Sequence, residues 1–261
     1  MTVQNGIDWR VVGASVQGVG HLKSDTPCQD AHRFVILPGG LLLAVVADGA
    51  GSAELAAQGS QFAADCLVDG MSRDEMQPYL NGEVATMRPM LEAAFSATRQ
   101  LLEEKAALAG HDPKDYSTTV LLVIASPSWI AVAQVGDGAV VVEDRDGSVL
   151  ALTTPQIGEH ANETIFLVSP GAIEQAEFVV WRGAVKNVAA FTDGLQRLAL
   201  KLPEGAAHAP FFAPLFQFAA EMDDATAGKT QLESFLRSPR ITERADDDLT
   251  LLLAHCNNPS F

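Results

Sequence analysis

Residues 41–52 read LLLAVVADGAGS: an apolar run, one aspartate, then a turn holding two glycines. The run 41–47 has the composition of a buried β-strand, and residues 53–70 beyond the turn follow helical spacing, so the strand hands Asp48 to its own mouth. Gly49 and Gly51 let the backbone approach a ligand closely, so the Asp48 carboxylate and the Gly49 carbonyl can share one cation. Taken alone, a strand followed by Asp-Gly is more often an ordinary turn. Here the pattern recurs. VAAFTDGL, residues 188–195, is a second apolar strand ending in Asp193-Gly194 and leading into a helix. VAQVGDG, residues 132–138, sets Asp137 between glycines after a third strand, where a hairpin turn is an equally good account.

Two further carboxylate positions lie at strand mouths. Asp246, Asp247 and Asp248 directly precede the terminal run LTLLLA, and like charges side by side are unfavourable unless solvent or a cation offsets them. A solvated acidic run is the alternative reading. Asp30, in PCQD at 27–30, precedes a strand expected over 33–37. An all-oxygen set of Asp30, Asp48, Asp193 and Asp247 with a backbone carbonyl suits hard cations, Mg²⁺ or Mn²⁺, rather than zinc, which prefers His and Cys.

Working outward, β-branched and apolar runs at 9–16, 118–125, 129–134, 139–143, 178–181, 188–191 and 249–254 predict strands. Residues 83–110 predict a second long helix with Met87, Leu91, Phe95, Thr98 and Leu102 on one stripe. Pro89 places its regular core after that residue. Later helices are expected over 194–200, 210–221 and 230–237, with 203–214 as a surface connection. The turns Gly136-Asp137-Gly138 and Asp146-Gly147 are short enough to join antiparallel neighbours. Together these elements predict an α+β fold, an αββα sandwich of two mainly antiparallel sheets flanked by helices, in a single domain over 1–261.

Composition narrows the function. A chain of 261 residues, 48% hydrophobic, can bury one sizeable core. Its 33 acidic against 17 basic residues give a net charge of -16, which argues against nucleic acid and anionic membranes as partners. Three cysteines, Cys28, Cys66 and Cys256, form no CxxC pair, so neither a disulfide framework nor a thiolate zinc site is suggested. The first residues lack a basic region followed by an apolar stretch, and no apolar run of about 18 residues occurs, so a cytoplasmic protein is expected. The sequon Asn162-Glu163-Thr164 reads as coincidence in that setting, and His32, His111, His208 and His255 show no ligand spacing.

Six ordered motifs, QDA at 29–31, VVADGAGS at 45–52, STTVLLV at 117–123, VGDG at 135–138, FTDGL at 191–195 and DDLT at 247–250, resemble those of the type 2C metal-dependent protein phosphatases. The resemblance runs from about residue 10 to the C-terminus, and is strongest with the stand-alone bacterial branch, through PCQDA and the segment GEHANET at 158–164. It implies that Asp48 bridges two Mn²⁺ or Mg²⁺ ions with the Gly49 carbonyl on one, that Asp193 and Asp247 hold the other, and that Asp30 binds through water. Asp137 and Asp193 match the positions of a weaker third ion. A hydroxide bridging the ions, supported by Asp48 and Asp193, is then the nucleophile that hydrolyses phosphoserine and phosphothreonine on proteins, a bacterial serine/threonine kinase and its substrates being the natural counterpart. Segment 158–164 falls where the family carries a variable flap, with a plain loop equally open.

The chain also departs from the family. Asp25 stands where many relatives carry a phosphate-binding arginine, leaving Lys23 or His21 as substitutes, or as merely solvated loop residues. Gln29 replaces a glutamate, and Ala50 stands where some relatives place a histidine proposed as general acid. These departures motivate the alternative of a catalytically weak or inactive module that binds a phosphoprotein or kinase. The complete aspartate set favours the enzyme. A two-metal nuclease fits the carboxylates but not the charge.

Overall fold

The computed structural model describes residues 8–155 and 164–257. Its strands, in chain order, are β1 (Asp8–Val16), β2 (Asp30–Leu37), β3 (Leu41–Asp48), β4 (Val120–Ser126), β5 (Trp129–Val135), β6 (Ala139–Asp144), β7 (Val149–Ala151), β8 (Glu177–Arg182), β9 (Val185–Phe191), β10 (Leu200–Lys201), β11 (Ala206–Ala207) and β12 (Leu249–Asn257). The helices are α1 (Val19–Ser24), α2 (Ala56–Met71), α3 (Val84–Ala109), α4 (Ala172–Gln175), α5 (Gln196–Ala199), α6 (Ala209–Glu221), α7 (Ala225–Leu236) and α8 (Pro239–Thr242).

Ten strands form two antiparallel five-stranded sheets, ordered β1-β12-β9-β6-β7 and β2-β3-β4-β5-β8. They stack face to face. Leu42, Ala44, Val46, Val123, Val132, Val140, Val188 and Leu252 interdigitate between them. The alternate residues Leu43, Val45, Leu122 and Ile124 face α2 and α3, where Leu67, Leu91 and Phe95 close a second core. On the far side Val141, Ala189, Leu251 and Leu253 meet Phe212, Phe216 and Leu232 of α6 and α7. This is the predicted αββα sandwich. Because helices cover both outer faces, the central strands are apolar at nearly every residue, and all seven positions of β4 and of β5 are buried, Ser126 and Gln134 being the polar members.

The stripe Met87, Leu91, Phe95, Thr98 and Leu102 on α3 is buried as expected. That helix spans Val84–Ala109, close to the expected 83–110, and its regular turns begin before Pro89 rather than after it, since the residue whose carbonyl Pro89 leaves unpaired lies in the helix's first turn. Residues 203–214 are not a plain connection: β10 and β11 pair, and α6 begins at Ala209 with Pro210 in its first turn. His21 and Lys23 lie on the short helix α1, which the sequence patterns do not mark.

Gly136-Asp137-Gly138 is no hairpin: β5 pairs with β4 and β8 in one sheet, whereas β6 pairs with β7 and β9 in the other. The three residues carry the chain from sheet to sheet, with Gly136 at φ +106, a conformation that suits glycine. Segment 158–164 lies outside the described residues except for Thr164.

Phe95 is fully buried and its ring lies 6.2 Å from that of Phe178. Phe95→Ala should therefore cost about 3–5 kcal/mol of unfolding free energy. Equilibrium denaturation in urea measures this directly, and a loss under about 1 kcal/mol would contradict the described packing.

Candidate metal centre

All the strand ends that bear the predicted aspartates meet at one end of the sandwich. Asp30 opens β2 and Asp48 closes β3, and the two are direct partners in the antiparallel ladder. Asp137 sits in the crossover between sheets, Asp193 follows β9, and Asp247 precedes β12. One carboxylate oxygen each from Asp48, Asp137 and Asp193 lies within 4.8 Å of the other two. Asp30 and Asp247 stand outside that triple but border it, each raising the pKa of Asp48.

The backbone around Asp48 is held by neighbouring hydroxyls. The Asp48 carbonyl accepts the Thr119 amide at 2.8 Å and the Thr118 hydroxyl at 2.9 Å, while its own amide donates to Thr119 Oγ1 at 3.0 Å. The Gly49 amide donates to the Gln29 carbonyl at 3.1 Å. A side chain at Gly49 would put a Cβ 2.6 Å from the Ala56 carbonyl oxygen, so glycine is required where α2 packs on the turn. Across the site, the Thr192 hydroxyl donates to Asp30 Oδ2 at 2.8 Å and accepts the Thr250 amide at 3.0 Å, linking the two sheets. These hydroxyls lie inside the motifs STT and FTDG, but only the fold reveals which aspartate each one serves, and whether through backbone or carboxylate.

Burial and mutual repulsion push the carboxyls upward. Asp30 reaches about 8, chiefly through burial and then through Asp248 and Asp193, against the lowering by Thr192. Asp48 is raised well above the carboxylate range by burial and by Asp30, Asp193, Asp137 and Asp247. Asp193 rises to about 6 through burial, Asp137 and Asp247, and Asp137 also rises through burial, opposed by the Thr164 hydroxyl 2.9 Å from its Oδ2. Cys28, beside Asp30, is pushed up to about 12 by burial and by Asp30 and Asp248, so it stays a neutral thiol.

The donor set fits a hard divalent cation. Asp30 Oδ1, Asp193 Oδ1 and Gln29 Oε1 are buried acceptors with no hydrogen-bond partner. Unsatisfied buried acceptors are costly, and a cation satisfies several at once while offsetting the charge. Asp248 differs from its neighbours. It is 2% exposed and accepts the amides of Gly18 at 2.7 Å and Gln29 at 2.6 Å, so the solvated-run reading does not describe it. Asp247 is exposed, and its Oδ1 accepts the Asp248 amide at 2.8 Å. His21 Nδ1 lies 2.9 Å from Asp248 Oδ2, and Lys23 is exposed two residues along the same helix. Ala50 is buried against Ala53, Ala56 and Phe166, and its amide donates to the Ser117 carbonyl at 2.9 Å.

An αββα sandwich whose one end gathers an all-oxygen site suited to hard divalent cations defines a narrow class of protein. A family model described as protein phosphatase 2C matches residues 17–237. The chain belongs to that family and is a phosphatase. It is 37% identical over 254 residues to serine/threonine-protein phosphatase 3 of Escherichia coli (strain K12), covering 95% of this chain and 98% of that protein. Among solved structures, the serine/threonine phosphatase Stp1 from Staphylococcus aureus superposes with a TM-score of 0.68 at 14% identity, covering 97% of this chain and 96% of that one. The S. agalactiae serine/threonine phosphatase gives 0.67 at 14% identity, covering 96% of this chain and all of that one. RsbX in complex with magnesium gives 0.57 at 14%, covering 97% and 99%. These distant likenesses bear on the fold.

The raised carboxyls set a pH dependence for the metal-free protein. A carboxyl with a higher pKa folded than unfolded binds its proton more tightly in the native state, so stability falls as pH rises from the unfolded value toward the folded one. In EDTA, thermal stability should decline from about pH 4 to about pH 8 as Asp193 and then Asp30 ionise. Saturating Mn²⁺ should raise stability most at the alkaline end. Calorimetric melts across that range, with and without metal, measure both slopes; an EDTA curve that climbs toward pH 8 would contradict the crowding of these groups.

Proposed function

We propose that the chain is a serine/threonine protein phosphatase that works with two Mn²⁺ or Mg²⁺ ions, and that residues 1–261 form one such domain. The observation that carries the reading is the convergence of Asp48, Asp137 and Asp193 around one point, beside buried acceptors that lack a protein donor. The relative at 37% identity, itself named a serine/threonine phosphatase, supports the choice of substrate. In this reading Asp48, the Gly49 carbonyl, Asp193 and Asp247 hold the two ions, with Asp30 acting through water. Asp137 and Asp193 serve a weaker third position. When bound, such ions lower the pKa of water and offset charge on a transferring phosphoryl group.

The chain's own residues do the positioning. Thr118 and Thr119 fix the Asp48 backbone, and Thr192 fixes Asp30, so the ligand carboxylates enter the reaction with little freedom to lose. Lys23 is our candidate for holding the substrate phosphate, since His21, the other cation the sequence offers there, is turned to Asp248. Lys23 is the exposed one, on the helix whose Gly20 amide bonds the Asp246 carbonyl at 2.7 Å. Ala50 contributes no proton, so the departing serine or threonine oxygen takes its proton from solvent or from another donor. Phosphorylated proteins, with a bacterial kinase as counterpart, are the proposed partners. No helix among the described residues is long and apolar enough to cross a membrane, and the three cysteines are unpaired, which supports a reducing cytoplasm.

Phosphate release from a phosphothreonine peptide, measured with Mn²⁺, Mg²⁺ or EDTA, tests the reading. Turnover should require metal, and Asp193→Asn should lower it by more than about 100-fold, beyond the usual cost of losing a group that only supports a metal ligand. Calorimetrically confirmed Mn²⁺ binding without turnover would instead identify a phosphoprotein-binding module. In the active protein, Lys23→Ala should raise KM about 5- to 20-fold with kcat little changed, as expected for lost ground-state and transition-state binding alike. An unchanged KM removes Lys23 from the phosphate site.

A further inference from the structure

Among the described residues Asp248 is the buried carboxylate that the metal set does not use, and it touches the segments that deliver Asp30, Asp193 and Asp247. Its Oδ1 accepts the Gly18 amide at 2.7 Å, and its Oδ2 accepts the amide of Gln29, the residue before Asp30, at 2.6 Å. Its own amide donates to Asp247 Oδ1 at 2.8 Å, which orients that side chain and leaves the other oxygen available. Its carbonyl oxygen packs so closely on Gly194, the residue after Asp193, that a Cβ there would lie 2.3 Å away. A Cβ on Gly18 would lie 2.2 Å from the Asp247 carbonyl, so the segment leading into α1 is pressed against the same strand mouth. His21 completes the arrangement, with Nδ1 2.9 Å from Asp248 Oδ2 in a close polar contact outside hydrogen-bond alignment.

We propose that Asp248 is a positioning residue for the phosphatase reaction, setting Asp30, Asp193 and Asp247 in register, and that His21 acts through Asp248 rather than on the substrate phosphate. The inference rests on the metal-dependent reading above. A carboxylate suits the position because two amide donors approach two different oxygens. Asparagine offers one acceptor oxygen and one NH₂, which would turn a donor against the Gly18 or the Gln29 amide. His21, 19% exposed beside a carboxylate 2% exposed, sets its Nδ1 against Oδ2 from the more exposed side. Its ring is engaged through Nδ1, so the two amide analogues of histidine separate the possible roles: asparagine carries its NH₂ near the Nδ1 position and glutamine near Nε2.

The experiment is Mn²⁺ titration calorimetry on the full-length wild type, Asp248→Asn, His21→Asn and His21→Gln, with phosphopeptide kinetics at saturating Mn²⁺ and amide exchange. Asp248→Asn and His21→Gln should weaken Mn²⁺ binding about 10-fold or more, the usual cost of losing a group that orients a metal ligand, while His21→Asn stays within about threefold of wild type. KM at saturating metal should be unchanged in all of them. Exchange should accelerate at Gly18 or Gln29 in Asp248→Asn while amides of β4 and β5 remain protected. If those core amides also lose protection, the two His21 variants decide. The proposal is overturned if His21→Gln binds Mn²⁺ normally, or if it retains KM while His21→Asn raises it, since that order marks an Nε2 contact with phosphate. Absence of Mn²⁺ binding in the wild type would instead sink the metal reading itself.

Discussion

Two aspartates face each other across an antiparallel ladder at the mouth of the β2–β3 pair, and the sandwich end is organised around that unfavourable juxtaposition. Asp30 and Asp48 are direct cross-strand partners, and Asp137, Asp193 and Asp247 crowd them from the other sheet and from the crossover. Like charges directly opposite destabilise a sheet, and burial adds a desolvation cost. The fold tolerates both because the surrounding strands leave the carboxylates nowhere to move. Thr118, Thr119 and Thr192 hold backbone and carboxylate in place, and glycines at 49 and 194 bring neighbouring backbone closer than a Cβ would permit. What results is a rigid anionic cup with surplus acceptors, electrostatically incomplete without a cation.

Rigidity at that end follows from packing over the whole sandwich. Each central strand presents one face to the partner sheet and the other to helices, so a register slip of one residue would exchange the two buried sets and mispack both cores. Register in turn fixes which residue stands at each strand mouth. The aspartates are therefore placed by apolar contacts far from them, and a core substitution that shifts a strand shifts a ligand as well.

The fold was legible in the sequence because two-sided burial produces long apolar runs, and runs such as 41–47 and 249–254 name their strands without ambiguity. Sheet membership was not. Gly136-Asp137-Gly138 has the composition of a hairpin turn, and only the pairing of β5 and β6 with different partners identifies it as a crossover that lifts Asp137 into the site. Nor does the run at 246–248 announce that its third residue is buried beneath backbone amides while its second stays exposed, since alternation at a strand mouth depends on register. Helix α1 escaped notice because six residues with no buried member give no periodic signal. Pro89 misled for a different reason: the carbonyl it leaves unpaired lies so near the start of α3 that the helix accommodates it.

The departures at 25 and 50 acquire a physical meaning in this setting. Asp25 is exposed in a left-handed conformation at the end of α1, with φ of 54°, and Ala50 is packed into a small cluster with its amide already committed. Neither position offers a cation to an incoming phosphate, and the whole chain carries a charge of -16. A phosphate dianion approaching this cluster of acidic groups meets repulsion that one lysine on α1 does not cancel. Divalent ions bound as proposed would reverse the sign of the field at the cup while leaving the outer surface acidic. On the proposed metal-dependent reading, the cup would attract phosphate only once a cation had offset its own acidic groups.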